Sequence, residues 1–298
     1  MSLKISLIVR PPGDEGVVGE LREAVKLLRA AGHQVSSRMT FGTFDAVRFA
    51  RVAARRRCDL VLAAGGDGTI NEVVNGMARC GWQPRLGIVP IGTANDFAHT
   101  LRLPERIEDA VEVALSGRPA AVDVGEVNGR CFINVSTGGF GADATASASL
   151  EAKRKLGKLA YLLTGARKLV ELKPNRARFT GDDGEIYKGE FFFYAVGNAR
   201  STGGGQRVTP RADIGDGKLD VVIVPALPRL DFLALLPDLR AGTHLESSDV
   251  LYVQTRVLDV QSDTPMRINA DGEAVRGRAF HYAILERPLS TMLPWDAG

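Results

Sequence analysis

The sequence predicts an α/β N-terminal domain with an open, mostly parallel, Rossmann-like sheet, followed by a C-terminal antiparallel β-sandwich domain. The length of 298 residues suggests about two domains of ~150 residues. In the first third of the chain, short apolar strands alternate with amphipathic helices, which is typical of a parallel sheet. Beyond about residue 120, strands and hairpin turns dominate. We therefore predict domains over residues 1–125 and 126–288, with the tail, residues 289–298, packing back on the first domain.

Hydrophobic periodicity predicts the elements of the first domain. A short apolar run indicates a strand over residues 3–9, and Leu21, Val25 and Leu28 at i, i+4 and i+7 predict a helix over residues 19–31. Arg55, Arg56 and Arg57 lie in the last turn of a later helix, where they either favour the negative end of its dipole, the preferred interpretation, or form a binding patch. The other predicted elements are strands at residues 35–39, 60–64 and 86–89 and helices at residues 46–57, 69–79 and 107–116.

Turn signals predict the second domain. Asn128-Gly129 between strands 122–127 and 131–135 is the strongest short-range signal of a β-hairpin. Further strands are predicted at residues 176–180, 186–196, 219–224, 251–261, 266–270 and 279–286, with helices at about residues 150–172 and 230–241.

Composition and charge exclude several classes of protein. Apolar residues make up 45% and charged residues 24% of the chain, as in an average globular protein. No apolar run approaches the ~18 residues of a membrane span, and the first residues resemble a strand more than a signal peptide, so a cytoplasmic location is expected. Three separated cysteines support neither a disulfide framework nor a zinc site. A net charge of +3 argues against nucleic acid but suits anionic substrates. No feature indicates an oligomeric state.

The first candidate site is the run Gly65-Gly66-Asp67-Gly68-Thr69-Ile70-Asn71-Glu72, between a buried strand and a helix. Glycines at such a position let backbone N–H groups approach a phosphate, and the helix N-terminus adds a partial positive charge. The run matches neither the dinucleotide fingerprint nor the P-loop. A tight turn with Thr69 as N-cap would explain the glycines but not the acidic residue among them. Asp67 therefore points to a metal carried with the phosphates.

The second candidate site is the segment 90–98, which also joins a buried strand to a helix. Loops that follow neighbouring parallel strands meet at the carboxyl edge of the sheet, where ligands of open α/β folds bind. Thr93 is a candidate ligand donor. Asn95 and Asp96 fit either ligand contacts or helix caps.

Two further candidates lie in the second domain. Asp271-Gly272 is typical of an ordinary hairpin turn, yet a carboxylate just beyond it, Glu273, is also suited to act as a general base. The long Gly-rich stretch between residues 197 and 219 is either a flexible surface loop or a functional one. Its Asp213 and Asp216, with neighbouring carbonyls, suit a hard cation such as Mg²⁺.

Together these motifs resemble the diacylglycerol kinase catalytic-domain family, and more closely the bacterial YegS-like lipid kinases. The Arg10-Pro11-Pro12-Gly13 segment departs from the Asn-Pro and Gly-rich turn of many members, so no role is assigned to it. The matching residues, in order through nearly the whole chain, are the run from Gly65 to Glu72, Gly92-Thr93-Ala94-Asn95-Asp96-Phe97-Ala98, Phe132-Ile133-Asn134 with Thr137-Gly138-Gly139-Phe140-Gly141, Gly203-Gly204-Gly205-Gln206, and Asp271-Gly272-Glu273.

The resemblance implies an ATP-binding first domain, a lipid-binding second domain and an active site in the cleft between them. It makes Glu273 the proton acceptor. Asp271, two residues earlier across the turn, is the competing candidate for that role, and the position of Asp67 among backbone donors suggests that it organises metal and phosphate. Mg²⁺, or alternatively Ca²⁺, would be bound by the Asp216 carboxylate, with Asp213 and Lys218 supplying further oxygens. The implied ATP contacts are Thr40, Gly65, Gly66, Asp67, Gly68, Thr69, Ile70, Asn71, Glu72 and Thr93.

The activity implied is transfer of the γ-phosphoryl group of ATP to the hydroxyl of a lipid such as phosphatidylglycerol or diacylglycerol. The alternatives are an NAD kinase-like enzyme, which shares the Gly-Gly-Asp-Gly-Thr loop, and a non-catalytic lipid- or nucleotide-binding regulator. The basic, leucine-rich residues 150–172 fit either a solvated helix face packed on the core or a transient contact with anionic lipid at the membrane surface.

Overall fold

A computed structural model describes residues 2–81, 84–140 and 173–295 of the chain. Within these ranges the strands form two sheets. The helix predicted over residues 150–172 lies outside the described residues. No helix in the described ranges is long and apolar enough to cross a bilayer.

The first sheet is the α/β layer that the sequence predicts. Its strands lie in the order β2-β1-β3-β4-β15-β5, and the first four run parallel. The last strand of the chain returns to this sheet, where it pairs antiparallel with β5 and meets β4 at Thr291. The strand bounds are β1 (Lys4–Val9), β2 (Gln34–Met39), β3 (Leu60–Gly65), β4 (Arg85–Pro90), β5 (Arg118–Val122) and β15 (Leu289–Leu293).

Helices cover both faces of the first sheet. Leu21 of α1 and Ala110 of α5 belong to one buried cluster, whereas Ala50 of α2 and Val73 of α3 belong to another on the opposite face. Because β3 and β4 are covered on both sides, they are continuous apolar runs. The helices are α1 (Glu15–Ala30), α2 (Asp45–Arg55), α3 (Asp67–Ala78), α4 (Asp96–Thr100) and α5 (Ile107–Ser116).

In the described part of the chain the second sheet has nine strands, and all of their pairs are antiparallel. Phe132 of the end strand β7 belongs to one buried cluster with Tyr194, and Leu251 of β12, at the other end of the sheet, packs against the same cluster. The sheet therefore curls around a shared core. Its elements are β6 (Gly125–Val127), β7 (Arg130–Phe132), β8 (Val135–Gly139), β9 (Asn175–Gly181), β10 (Gly184–Gly197), β11 (Leu219–Pro225), α6 (Arg229–Ala241), β12 (Leu251–Thr255), β13 (Val257–Ala270) and β14 (Glu273–Ile284).

Two helix starts differ from the sequence prediction. Helix α1 begins at Glu15 and not at residue 19, because the Asp14 carboxylate accepts a hydrogen bond from Gly16 N–H at 2.7 Å. Helix α3 begins at Asp67 with Gly66 as N-cap, so Thr69 is not the cap. The Thr69 side chain is instead buried against Gly65.

Several strand boundaries were predicted wrongly. The segment 122–127 divides into the last residue of β5 and the whole of β6, because Asp123 leaves the strand and donates its N–H to the Ile214 carbonyl at 2.7 Å. The break predicted between residues 261 and 266 lies instead at Arg256, and β13 continues through both predicted segments. Strand β14 starts at Glu273 and not at residue 279. Strands β5 and β15 were not predicted, whereas the helix expected after the segment 90–98 is α4.

Candidate functional site

The two glycine loops of the first domain touch each other at the carboxyl edge of the sheet. The Ile91 N–H donates to the Gly65 carbonyl at 3.2 Å. A Cβ on Gly92 would lie only 2.3 Å from the Cα of Gly66. Only glycines allow this backbone-to-backbone approach, so the prediction that both loops converge is confirmed.

Helix α3 begins directly after this contact, with Gly66 as its N-cap. The N–H groups of Thr69 and Ile70 bond to the Gly66 carbonyl, and the first N–H groups of a helix have no partner inside it. Ile70 is fully buried and Thr69 nearly so, and their N–H groups already bond to Gly66, so the N–H groups of Asp67 and Gly68, which precede this first hydrogen bond, are the ones that can face a ligand. Thr93 is exposed on the neighbouring loop, and Thr40 directly follows β2, where its N–H donates to the Val9 carbonyl.

The Asp67 carboxylate holds the second loop in place. It accepts hydrogen bonds from the N–H groups of Asp96 at 3.1 Å and Phe97 at 2.9 Å, which are the first residues of α4. The Asn134 amide of the second domain lies 3.5 Å away. A carboxylate at this position satisfies two N–H groups that have no partner inside the helix. Asp67 therefore links the two glycine loops, a role that its position between glycines did not reveal.

Asp96 extends this link to the second domain. Its carboxylate accepts hydrogen bonds from Gly204 N–H at 2.8 Å and Gly205 N–H at 2.7 Å. Both glycines have φ of +86°, which side chains rarely adopt, so the turn requires glycine. Asn95 bonds both backbone groups of Gly92 and fixes its own loop. Asn95 thus occupies the N-cap position of α4 and holds the turn, and Asp96 makes the inter-domain contact.

Glu72 fixes the start of α2. Its two oxygens accept from Phe44 N–H and Ala46 N–H, each at 3.2 Å. Asp45, at the start of that helix, accepts from the N–H groups of Phe41 and Gly42. These two carboxylates therefore secure the β2–α2 loop.

Asp271 is a partly buried junction between the domains. Its carboxylate accepts hydrogen bonds from Asn71 Nδ2 at 2.8 Å and from the N–H groups of Ile133 at 2.6 Å, Asn134 at 3.1 Å and Val135 at 3.2 Å. Burial raises the pKa of Asp271 to about 6, against the lowering effect of these donors. The group is therefore ionised at neutral pH. Its side chain is fully engaged by donors from both domains.

Glu273 lies two residues further on and is in a different environment. The positive φ of Asp271 and Gly272 makes a tight turn, and β14 starts at Glu273. The Glu273 side chain is 46% exposed and lies 3.4 Å from the Arg130 guanidinium. Hence the hairpin interpretation of this motif is confirmed. The turn places the Asp271 carboxylate among backbone donors and the Glu273 carboxylate at a half-exposed position.

A cleft of about 870 Å³ brings residues of the two domains together. Among the described residues, four carboxylates line it, those of Asp45, Glu72, Asp271 and Glu273. Arginines form much of the remaining lining. The helix-dipole interpretation of Arg55 missed this role, although the spacing of residues 48, 51 and 55 places them on one face of α2. The lining arginines are Arg48, Arg51, Arg55, Arg79 and Arg130.

The predicted metal ligands lie outside the lining of this cleft. Asp213 and Asp216 bond to the N–H groups two residues further along, at Gly215 and Lys218. Burial and the neighbouring carboxylates raise the pKa of Asp123, which accepts from Gly217 N–H. This oxygen-rich loop has the donor types that a hard cation takes. However, the described residues assemble no group of three His, Cys, Asp or Glu side chains able to hold a metal, so a cation here would need backbone carbonyls.

Comparison with known proteins gives two consecutive family matches. Residues 4–127 match the diacylglycerol kinase catalytic domain, and residues 135–286 match the YegS C-terminal NAD kinase beta sandwich-like domain. A "Probable lipid kinase YegS" of Escherichia coli is 36% identical over 93% of this chain and 92% of its own. A "Probable lipid kinase YegS-like" of Citrobacter koseri has the same identity and coverage. A diacylglycerol kinase crystal structure from Bacillus anthracis is 25% identical, with a TM-score of 0.79 over 99% of this chain and 98% of its own.

The fold and these matches define a two-domain kinase class with an α/β domain and an antiparallel β domain. The chain belongs to the YegS-like branch of the diacylglycerol kinase catalytic-domain family, so the resemblance recognised in the sequence is confirmed.

Proposed function

We propose that the protein is an ATP-dependent lipid kinase that transfers the γ-phosphoryl group of ATP to the hydroxyl of a lipid such as phosphatidylglycerol or diacylglycerol. Its family and its similarity to proteins named lipid kinases support the broader assignment, a phosphotransferase acting on a lipid hydroxyl. The nucleotide and the lipid acceptor are inferred from the family resemblance, and the residue roles are inferred from the site.

The hydrogen bonding of the cleft carboxylates carries this proposal. Asp45, Glu72 and Asp271 all accept backbone N–H groups, whereas Glu273 has only a half-exposed ion pair with Arg130 among the described residues. A general base needs a free lone pair and access to substrate. Glu273 is the lining carboxylate that meets both requirements.

The roles of the other residues follow from their positions. The N-terminus of α3 and the Gly65–Gly68 backbone suit the negatively charged phosphates of ATP, with Thr40 and Thr93 on flanking loops. Asp67 and Asp96 hold these loops against each other and against the second domain. Glu273 accepts the proton of the lipid hydroxyl as the phosphoryl group is transferred.

A divalent cation fits this chemistry in two places. Mg²⁺ bound with ATP supplies charge neutralisation during phosphoryl transfer. A cation at the loop of Asp216 would bind its carboxylate and the carbonyls of Asp213 and Lys218. Because that loop does not line the cleft, we assign it a structural role there.

The test is transfer of labelled phosphate from ATP to separate acceptors: diacylglycerol, phosphatidylglycerol and NAD. Labelling of a lipid that disappears in Glu273→Gln supports the proposal. Labelling of NAD alone would establish the NAD kinase alternative. ATP binding without transfer to any acceptor would instead indicate a non-catalytic regulator.

A further inference from the structure

The loop between β2 and α2, residues 40–44, presents apolar side chains to solvent. Phe41 is 88% exposed and Phe44 is 54% exposed, and Met39 at the end of β2 is 44% exposed. These are three of the six large apolar side chains exposed in the described part of the chain, and they lie within six positions of each other. Scattered exposed apolar residues are ordinary, but a cluster marks an interaction surface.

This loop is held rigidly in its exposed conformation. The Asp45 carboxylate accepts from Phe41 N–H at 2.9 Å and Gly42 N–H at 3.0 Å, and these bonds lower the pKa of Asp45. Glu72 accepts from Phe44 N–H. Phe44 itself has φ of +65°, which is rare for a bulky residue and costs free energy. Since neither ring is buried, core packing does not explain this arrangement.

The position of the loop relates it to the acceptor. Phe44 lines the cleft that contains Glu273, so the loop lies at its margin. Arg48, Arg51 and Arg55 continue from it along one face of α2. Neither Arg51 nor Arg55 has a side-chain ion pair within the described ranges. Unpaired like charges on one helix face oppose each other, and an anionic partner would relieve this repulsion.

We propose that this loop docks the protein on a bilayer with anionic head groups. Phe41 and Phe44 enter the interfacial region, where aromatic rings are favoured, and the α2 arginines contact lipid phosphates. The margin of the cleft is thereby held against the surface from which a lipid acceptor arrives. The link to catalysis rests on the proposed lipid kinase activity, whereas the docking itself can be measured without ATP.

The first experiment measures binding of the full chain to two kinds of vesicle, phosphatidylcholine alone and phosphatidylcholine mixed with phosphatidylglycerol. The variants are Phe41→Ser and Phe44→Asn, since asparagine tolerates positive φ and keeps the loop backbone. We expect each variant to bind the anionic vesicles roughly tenfold more weakly than wild type. Leu27→Ser is the matched control, because Leu27 is 56% exposed on α1, on the other face of the sheet. It should bind like wild type.

The second experiment separates docking from chemistry. Phe41→Ser is assayed with a short-chain diacylglycerol dissolved as monomers and with the same acceptor class in anionic vesicles. We expect normal turnover and normal KM for ATP with the monomeric acceptor, and reduced turnover on vesicles.

Three outcomes would overturn the docking proposal. The first is unchanged vesicle binding by both variants. The second is a raised KM for ATP with unchanged vesicle binding, which would place the loop at the nucleotide. The third is a dimer that dissociates in Phe41→Ser, which would place a second copy of the chain on the loop. Loop-dependent vesicle binding without phosphorylation of any lipid would support docking and refute the proposed kinase activity.

Discussion

Glu273→Gln and Asp271→Asn should separate catalysis from stability although the two residues are neighbours. Each substitution replaces a carboxylate with an amide of nearly the same shape. The surroundings differ, because Glu273 is 46% exposed beside Arg130 and Asp271 is engaged by donors of both domains. We expect activity to be lost in the first variant and stability in the second.

The size of each effect follows from the contacts. An exposed ion pair contributes about 0–1 kcal/mol, so Glu273→Gln should hardly alter the free energy of unfolding. Loss of a general base lowers kcat by roughly 10²–10⁴-fold. In Asp271→Asn, the amide NH₂ would replace one carboxylate oxygen and would face N–H groups that this oxygen accepts from in the wild type. Two unsatisfied donors at about 1–3 kcal/mol each would lower the free energy of unfolding by about 2–6 kcal/mol.

The assay combines urea unfolding with kcat and KM for ATP, measured with one lipid acceptor. Glu185→Gln is the matched control, since Glu185 is 51% exposed and pairs with Arg178 at 3.2 Å, away from the cleft lining. It should change neither quantity. Near-normal kcat in Glu273→Gln would refute its role as base. A large loss of kcat in Asp271→Asn without loss of stability would transfer that role to Asp271.

Three further predictions concern the loops and the arginines. Asp67→Ala should abolish phosphoryl transfer, because the first N–H groups of α4 lose their acceptor and the two glycine loops lose their link. Circular dichroism should still report a folded chain. Near-normal turnover would refute this assignment. Gly92→Ala should raise KM for ATP at least tenfold, since its Cβ would lie 2.3 Å from the Cα of Gly66. The control Gly19→Ala on α1, whose added Cβ would meet no atom within 4 Å, should leave KM unchanged. Equal KM values in the two variants would contradict the loop contact. The double variant Arg51→Gln with Arg55→Gln removes two positive charges from the cleft. In neutral micelles it should therefore lower kcat/KM more for phosphatidylglycerol than for diacylglycerol. An equal loss for both acceptors would count against recognition of the phosphatidylglycerol head group by these arginines.

Local sequence patterns were enough to predict the class of fold and most of its elements. Helix α5 was predicted with its observed bounds, and buried strands such as β3 appear in the sequence as short apolar runs. The glycine runs that contact each other and the Asp271-Gly272 turn were also recognised, because glycine at a strand end is a local signal. Family membership followed from the order of these motifs.

Elements that depend on distant partners were not predictable in this way. Strand β15 forms only because residues near the end of the chain pair with β5, far away in sequence. The corner at Asp123 depends on the carbonyl of Ile214. Hydrophobic period does not encode such pairings, so the boundaries there were missed or misplaced.

The roles of the acidic residues were decided only by tertiary structure. Asp67, Glu72, Asp96 and Asp271 look alike in sequence as carboxylates within or beside glycine motifs, and each accepts N–H groups from a distant loop or helix start. Whether a carboxylate is free to take a proton depends on which donors the fold brings to it. The sequence alone determined that carboxylates occupy these motifs. The packing of the two domains determined that Glu273 is the cleft carboxylate left without backbone donors in the described structure, because such donors come from residues far away in the chain.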